Sequence, residues 1–208
     1  MSSVFDYLAW RGDLTFGQSP FCPVDGLILS VLSYVHFDGL VPEGAAKAVP
    51  LGRAAEDYLA LPPARRGRCR GEEDLRLLRA LADAPRFAGL GLCGWADHFV
   101  PREETQFAAL AVLLGDGSAF LAFRGTDGTL VGWKEDFNLS FLDVVPAQLE
   151  AAGYVRYLAA AFPGQLRLGG HSKGGNLAAA GGALSPVKVR DRIMSVWSFG
   201  GPGLNPYL

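Results

Sequence analysis

The stretch LRLGGHSKGGNLA, residues 166–178, gives the clearest indication of how this chain folds. Within it, residues 170–174 match the pattern G-x-S-x-G. The short apolar segment 166–168 predicts a strand before this pattern, and the small residues of 174–184 predict a helix after it. The sequence therefore predicts a sharp strand-to-helix turn with Ser172 at its centre.

Ser172 is the candidate nucleophile of this turn. Strand and helix approach closely there, so the neighbours of the serine must be small, and Gly170 and Gly174 meet that requirement. The N–H groups at the start of the helix favour negative charge developing beside the hydroxyl. The alternative is a glycine-rich turn whose serine only caps the helix. We expect His171 to pack beside the turn rather than to act as the base, because adjacent side chains diverge there.

A second cluster, Phe-Arg-Gly-Thr-Asp at residues 123–127, follows a predicted strand at 119–123. In hydrolases with such a turn, the loop after this strand donates one backbone N–H to the oxyanion hole. Thr126 and Asp127 occupy that position, and Gly125 permits a close backbone approach. The N–H of Lys173 would be the second donor, while its side chain either positions the turn or faces solvent. Alternatively, Arg124 and Asp127 form only a surface pair.

The remaining pattern predicts an α/β fold. Asp25 is a candidate N-cap for a helix over 26–36, and further helices are expected at 45–59, 72–81 and 145–161, with strands at 89–95, 105–114 and 193–199. From residue 119 onward strands alternate with helices, which predicts right-handed crossovers and a mostly parallel sheet in a three-layer sandwich. Residues 1–85 form a helical N-terminal region and a candidate cap, and residues 86–208 form the core. The basic connector 62–70 is expected to be a solvated loop.

Several longer strings resemble known hydrolases. They are WRGDLTF at 10–16, FRGTD at 123–127, WKEDFN at 133–138 with Trp133 and Asp136, HSKGGNLA at 171–178 and GPG at 201–203. Together they resemble the class 3 (fungal-type) lipases of the α/β-hydrolase superfamily and, more closely, a bacterial lipase-like family of unknown function, the Mbeg-like hydrolases. The resemblance implies an α/β-hydrolase domain, a nucleophile at Ser172 and an oxyanion contribution at Thr126. It does not imply a substrate.

The chain departs from this family where the acid and base should be. The family carries an aspartate before Gly-Pro-Gly, at the position of Gly200. The triad of this fold runs in the order nucleophile, acid, base, yet the only acidic residue after Ser172 is Asp191, and no histidine follows. Asp191 precedes the last predicted strand, which places it at the wrong end of the sheet. His36 and His98 come early, although His98 follows a predicted strand and is the weaker alternative for a base.

We therefore expect either a C-terminally truncated chain or one that has lost its acid and base. In both cases the strand at 193–199 lacks the strands that normally follow it in this fold. The exposed apolar edge is then a candidate surface for self-association.

Composition excludes several other classes. The 208 residues suit one domain, and 19 basic against 21 acidic side chains give no excess of positive charge for nucleic acid. The odd number of cysteines, 3, disfavours a disulfide scaffold, and the scattered histidines predict no metal site. No cofactor is expected, since the chain has no phosphate-binding loop. With no signal sequence and no apolar run long enough for a transmembrane segment, the expected location is cytoplasmic.

The sequence thus predicts a serine hydrolase of the lipase or esterase type, acting on the carbonyl of a small-molecule or lipid ester and incomplete or inactive as this chain. Two alternatives remain open. One is a non-catalytic α/β-hydrolase-fold module that binds or interacts and keeps the turn for structure. The other is acyl transfer to an acceptor other than water.

Overall fold

A computed structural model describes residues 3–67, 70–100, 105–126 and 144–205. Its helices are α1 (Val4–Arg11), α2 (Pro23–Leu32), α3 (Leu51–Ala60), α4 (Glu72–Asp83), α5 (Pro85–Ala88), α6 (Pro146–Ala161), α7 (Lys173–Ala183) and α8 (Val187–Arg190), with a 3₁₀ turn at Pro63–Arg65. Its strands are β1 (Val49–Pro50), β2 (Gly91–Val100), β3 (Thr105–Leu113), β4 (Ala119–Phe123), β5 (Leu166–His171) and β6 (Ile193–Phe199). The predicted α/β class is confirmed.

The six strands form one mixed sheet in the order β1-β2-β3-β4-β5-β6. The expected mostly parallel sheet is wrong, because the pairings from β1 to β4 are all antiparallel. The connection from β3 to β4 shows why: a tight turn with Gly117 at φ 79° is too short for a crossover. The pairings β4–β5 and β5–β6 are parallel, as the alternation of strands and helices predicts.

Helices cover both faces of this sheet. On one face α2, α3 and α4 pack against side chains of the sheet that include Leu110 and Phe120. On the other face α6 and α7 pack against Leu121 and Phe123. Every residue of β4 is buried, so its sequence is an unbroken apolar run rather than an alternating one. The chain therefore builds three layers, with β3 and β4 in the middle of the sheet.

The start of α2 differs from the prediction. The helix begins at Pro23, and Asp25 lies in its first turn, where its carboxylate accepts a hydrogen bond from the N–H of Cys22 at 2.9 Å. Proline is favoured at the first helical position because its φ is already helical and it lacks an N–H that would stay unpaired there. The prediction of Asp25 as the N-cap was therefore wrong, because the N-cap is Cys22.

Arg86 fixes the segment between α1 and α2, which contains most of the string WRGDLTF. Its guanidinium donates to both carboxylate oxygens of Asp25, at 2.8 and 2.6 Å, and both side chains are fully buried. It also donates to the backbone carbonyls of Leu14, Ser19 and Pro20. This string therefore has a structural explanation in the packing of a buried ion pair.

The strand β6 has an exposed edge and an exposed apolar face. Within the described residues β6 pairs only with β5, and its Met194 and Val196 side chains are 56% and 42% exposed. On its other face the rings of Trp197 and Phe199 stack with their centroids 6.4 Å apart. Pairing of this edge with another chain stays a prediction. None of the described helices combines the length and hydropathy needed to cross a bilayer.

Candidate active site

Ser172 occupies a strained turn between β5 and α7. Its φ of 56° is the only positive value at a non-glycine position among the described residues, and its ψ is −134°. Such a conformation costs about 1–3 kcal/mol and persists only where surrounding contacts enforce it. The side chain is partly exposed and makes no capping hydrogen bond to α7. The hydroxyl is therefore presented at the end of the strand without serving the helix that follows.

Glycines make this turn possible. A Cβ atom at Gly170 would overlap the backbone of Gly174, and a Cβ atom at Gly174 would overlap the carbonyl oxygen of Phe123. Any larger residue at either position would push β4, β5 and α7 apart. The two glycines of the G-x-S-x-G pattern thus allow the close approach of strand and helix for which they were predicted.

The loop after β4 lies directly beside Ser172. A Cβ atom built on Gly125 would be 3.2 Å from the Cβ atom of Ser172 and 2.6 Å from the carbonyl oxygen of His171. Thr126 follows and is partly exposed. The structure thus brings together the two segments that the sequence selected. Of the other predicted residues in this loop, Asp127, Trp133 and Asp136 lie outside the described residues.

Lys173, the first residue of α7, is buried. Its Nζ donates to the carbonyl oxygen of Gln106 on β3 at 3.0 Å, so the side chain does not face solvent. Lys173 therefore ties the start of α7 to the sheet and helps to hold the turn. The first turn of α7 is aimed at the same end of the sheet as Ser172, where helix N–H groups favour an anion.

Arg124 is buried, whereas the alternative for this cluster placed its side chain at the surface. It binds both carboxylate oxygens of Asp97 on β2, at 2.9 and 2.6 Å. Burial opposes the charge of Asp97, but hydrogen bonds from His36 and Arg124 outweigh it and lower the pKa of this carboxyl. Asp97 was not predicted as a site residue because the strand was predicted to end at Trp95. Its continuation to residue 97 is what turns this side chain toward Arg124.

All three histidines are among the described residues, and none of them forms a hydrogen bond with the Ser172 hydroxyl. His36 has Asp97 beside Nδ1 at 3.1 Å and Arg124 beside Nε2 at 3.3 Å, so both ring nitrogens have partners. His98 pairs with Glu150 of α6 at 2.7 Å, on the other face of the sheet.

His171 faces the hydroxyl of Tyr34 through Nδ1 at 3.1 Å, as expected of a residue packed beside the turn. Burial lowers the pKa of its imidazole, and the charge of Arg70 lowers it further against the opposing charge of Asp74. Burial and Arg70 therefore favour the neutral form of His171.

The segment after β6 also reaches this site. A Cβ atom on Gly201 would lie 2.7 Å from the carbonyl oxygen of Ser172, and Asn176 of α7 donates to the carbonyl oxygen of Gly203 at 2.9 Å. Gly200 has a φ of 65°, and a Cβ atom built on it would have no described atom within 4 Å apart from its chain neighbours. Asp191 is at the opposite end, because β6 starts beside the start of β5 whereas Ser172 follows the end of β5.

One group of side chains in the described part could offer ligands to a cation, although the sequence predicted no metal site. His36, Asp38 and Asp97 each bring one ligand atom within 4.8 Å of the others. Two of them, Asp38 and Asp97, border a cavity of about 270 Å³ whose wall also includes His98. The guanidinium of Arg124 already neutralises Asp97, which disfavours a metal ion there.

Comparison with known proteins gives a family. No curated protein and no solved structure matches the chain. The family model described as Mbeg1-like matches residues 81–208, which include β2 to β6, the Ser172 turn and the loop at Gly125. Since this match covers more than half of the sequence, the chain belongs to the Mbeg1-like family.

Proposed function

We propose that this protein is a serine hydrolase of the lipase or esterase type, with Ser172 as its nucleophile. The observation that carries the proposal is the backbone of Ser172, whose φ of 56° is maintained although the hydroxyl caps nothing. Strain of this kind is found where a side chain must be presented in one direction. The adjacent Gly125 segment and the first turn of α7 supply the surroundings that an acyl-transfer site requires.

The chemistry follows from this arrangement. The oxygen of Ser172 would attack the ester carbonyl while its proton passes to a base, and the carbonyl oxygen would gain negative charge. Backbone N–H groups of Thr126 and Lys173 are the proposed donors to that oxygen. Collapse of the intermediate would release the alcohol, and water would then cleave the acyl-serine bond to give the acid. The proposed substrates are small-molecule or lipid esters.

A second candidate, a non-catalytic module of the same fold, is favoured by the histidine contacts. Each of the three imidazoles has partners other than Ser172. Without a base a serine remains a weak nucleophile, and loss of a triad member typically lowers the rate by about 10⁴-fold or more. In this reading the turn would only shape a binding surface.

Labelling by a fluorophosphonate distinguishes the two. We expect the wild type to be labelled, Ser172→Ala to be unlabelled and Ser198→Ala to be labelled like the wild type. Ser198 is the matched control because its hydroxyl lies near the same turn, beside Gly175 and Gly201, but its backbone is an ordinary strand. A folded wild-type protein that takes up no probe would reject the hydrolase and favour the module. Labelling that survives in Ser172→Ala would place the reactive group elsewhere.

A further inference from the structure

Tyr34, just after α2, lies where the two loops of the site meet. It is 2% exposed, and its hydroxyl is 3.1 Å from Nδ1 of His171 and 3.5 Å from the carbonyl oxygen of the same residue. Residue 34 precedes the segment that the family model matches. The helical N-terminal region therefore contributes a buried polar group to the proposed catalytic turn.

The same hydroxyl contacts the loop after β4. A Cβ atom at Gly125 would overlap the Tyr34 oxygen, so residue 125 must be glycine for the hydroxyl to fit. One phenol group thus touches both the residue before the candidate nucleophile and the residue before Thr126.

Two further side chains hold the tyrosine ring in place. The guanidinium of Arg70 lies 3.9 Å from the centroid of the Tyr34 ring, on its face. Arg70 is itself held by Asp74 of α4, with a closest approach of 2.6 Å. The end of the basic connector was expected to be a solvated loop, but Arg70 packs against the site. A ring clamped on its face keeps its hydroxyl in one direction.

We propose that Tyr34 is a positioning residue that locks the Ser172 turn and the Gly125 loop into one arrangement. Its oxygen packs against Gly125, and its hydroxyl donates a hydrogen bond to Nδ1 of His171, which leaves His171 with its own proton on Nε2. The proposal rests on the proposed function for its kinetic consequence. Its structural content, the hydrogen bond from Tyr34 to His171, stands separately from any activity.

The test uses Tyr34→Phe in the full chain, with Tyr154→Phe as the matched control. Tyr154 is also buried and also bonds one backbone carbonyl, that of Gly94 at 2.7 Å, but it belongs to the other face of the sheet. Loss of one hydrogen bond that orders the site should slow fluorophosphonate labelling about fivefold to tenfold in Tyr34→Phe. Tyr154→Phe should label at the wild-type rate.

Nitrogen NMR of the His171 ring gives a second readout that does not require activity. The wild type should show an unprotonated Nδ1 that accepts a hydrogen bond, and Tyr34→Phe should change that signal. A protonated Nδ1 in the wild type, or an unchanged signal in Tyr34→Phe, would overturn the proposal. Equal labelling rates for Tyr34→Phe and Tyr154→Phe would also overturn it. If the wild type does not label at all, the hydrolase fails while the NMR result still decides the role of Tyr34.

Discussion

Two arginine–aspartate pairs in this molecule have the same chemistry but different surroundings. Arg86 has acceptors for all five of its N–H groups: two on Asp25 and three on backbone carbonyls. Arg124 binds both oxygens of Asp97, but its buried Nε has no partner among the described residues. The first pair holds the N-terminal segment together, and the second lies beside Gly125 and Ser172.

This difference in hydrogen bonding distinguishes the structural scaffold around Arg86 from the candidate active site around Arg124. Buried polar groups are normally satisfied, so a complete set such as that of Arg86 indicates a part of the structure that is fixed. The hydrogen bonds of Arg124 are incomplete among the described residues, and His36 lies close to it. An incomplete set of this kind is typical of a region that contains backbone strain and unpaired polar groups. The predictions below test whether the two regions differ in stability as this comparison requires.

The largest expected effect is at the complete pair. Arg86→Met leaves the Asp25 carboxylate buried without its counter-charge, and we expect the free energy of unfolding to fall by about 3–5 kcal/mol. The control is Arg53→Met, which removes an exposed pair with Asp57 on α3 and should change it by less than about 0.5 kcal/mol. Urea denaturation at pH 7 measures both. If both variants lost a similarly small free energy of unfolding, the buried pair of Arg86 would stabilise the fold no more than the exposed pair of Arg53.

A smaller effect is expected at the pair beside the site. Asp97→Asn should lower the free energy of unfolding at pH 7 by about 2 kcal/mol, since the amide cannot balance Arg124. The folded-state pKa of Asp97 lies below its ordinary value, so its stabilising contribution is present above about pH 4 and is lost as pH falls through the folded pKa.

The gap between wild type and Asp97→Asn should therefore narrow below about pH 4. Denaturation series at several pH values measure this gap, with Asp57→Asn as the exposed control. A gap that stays constant down to pH 3 would show that the charge of Asp97 is not what stabilises this region.

The smallest effect has the opposite sign. Ser172→Gly should raise the free energy of unfolding by about 1 kcal/mol, because glycine adopts the positive φ without strain. Ser198→Gly, in the regular strand β6, should lower it by about 0.5–1 kcal/mol. Thermal and urea denaturation of both variants check the signs. Destabilisation by Ser172→Gly would mean that the turn stores no strain.

The local elements were largely predictable from the sequence. The bounds of β4 and β6 agree with the prediction because each is a mostly apolar stretch with glycine or polar residues on either side. The helix predicted at 45–59 starts later, because Val49 and Pro50 pair with β2 before α3 begins. The antiparallel half of the sheet was missed because short apolar runs do not reveal the direction in which neighbouring strands pair.

The site was predictable only where its residues belong to recognisable local sequence patterns. Ser172 and Gly125 were placed together because both follow strands of the parallel half, whose carboxyl ends meet at one edge of a sheet. Tyr34, His36 and Asp97 reach the same end from distant parts of the chain, through side-chain contacts that leave no local pattern. Within the described ranges no histidine forms a hydrogen bond with Ser172, and no histidine follows Ser172 in the sequence.

The central claim is that the strained backbone at residue 172 presents a reactive oxygen. The most direct measurement is the mass-spectrometric location of a fluorophosphonate adduct after proteolysis of the labelled wild-type protein. The account predicts one adduct, on the peptide that contains Ser172 and on the oxygen of that serine. An adduct confined to any other residue, or none on a folded protein, would contradict it.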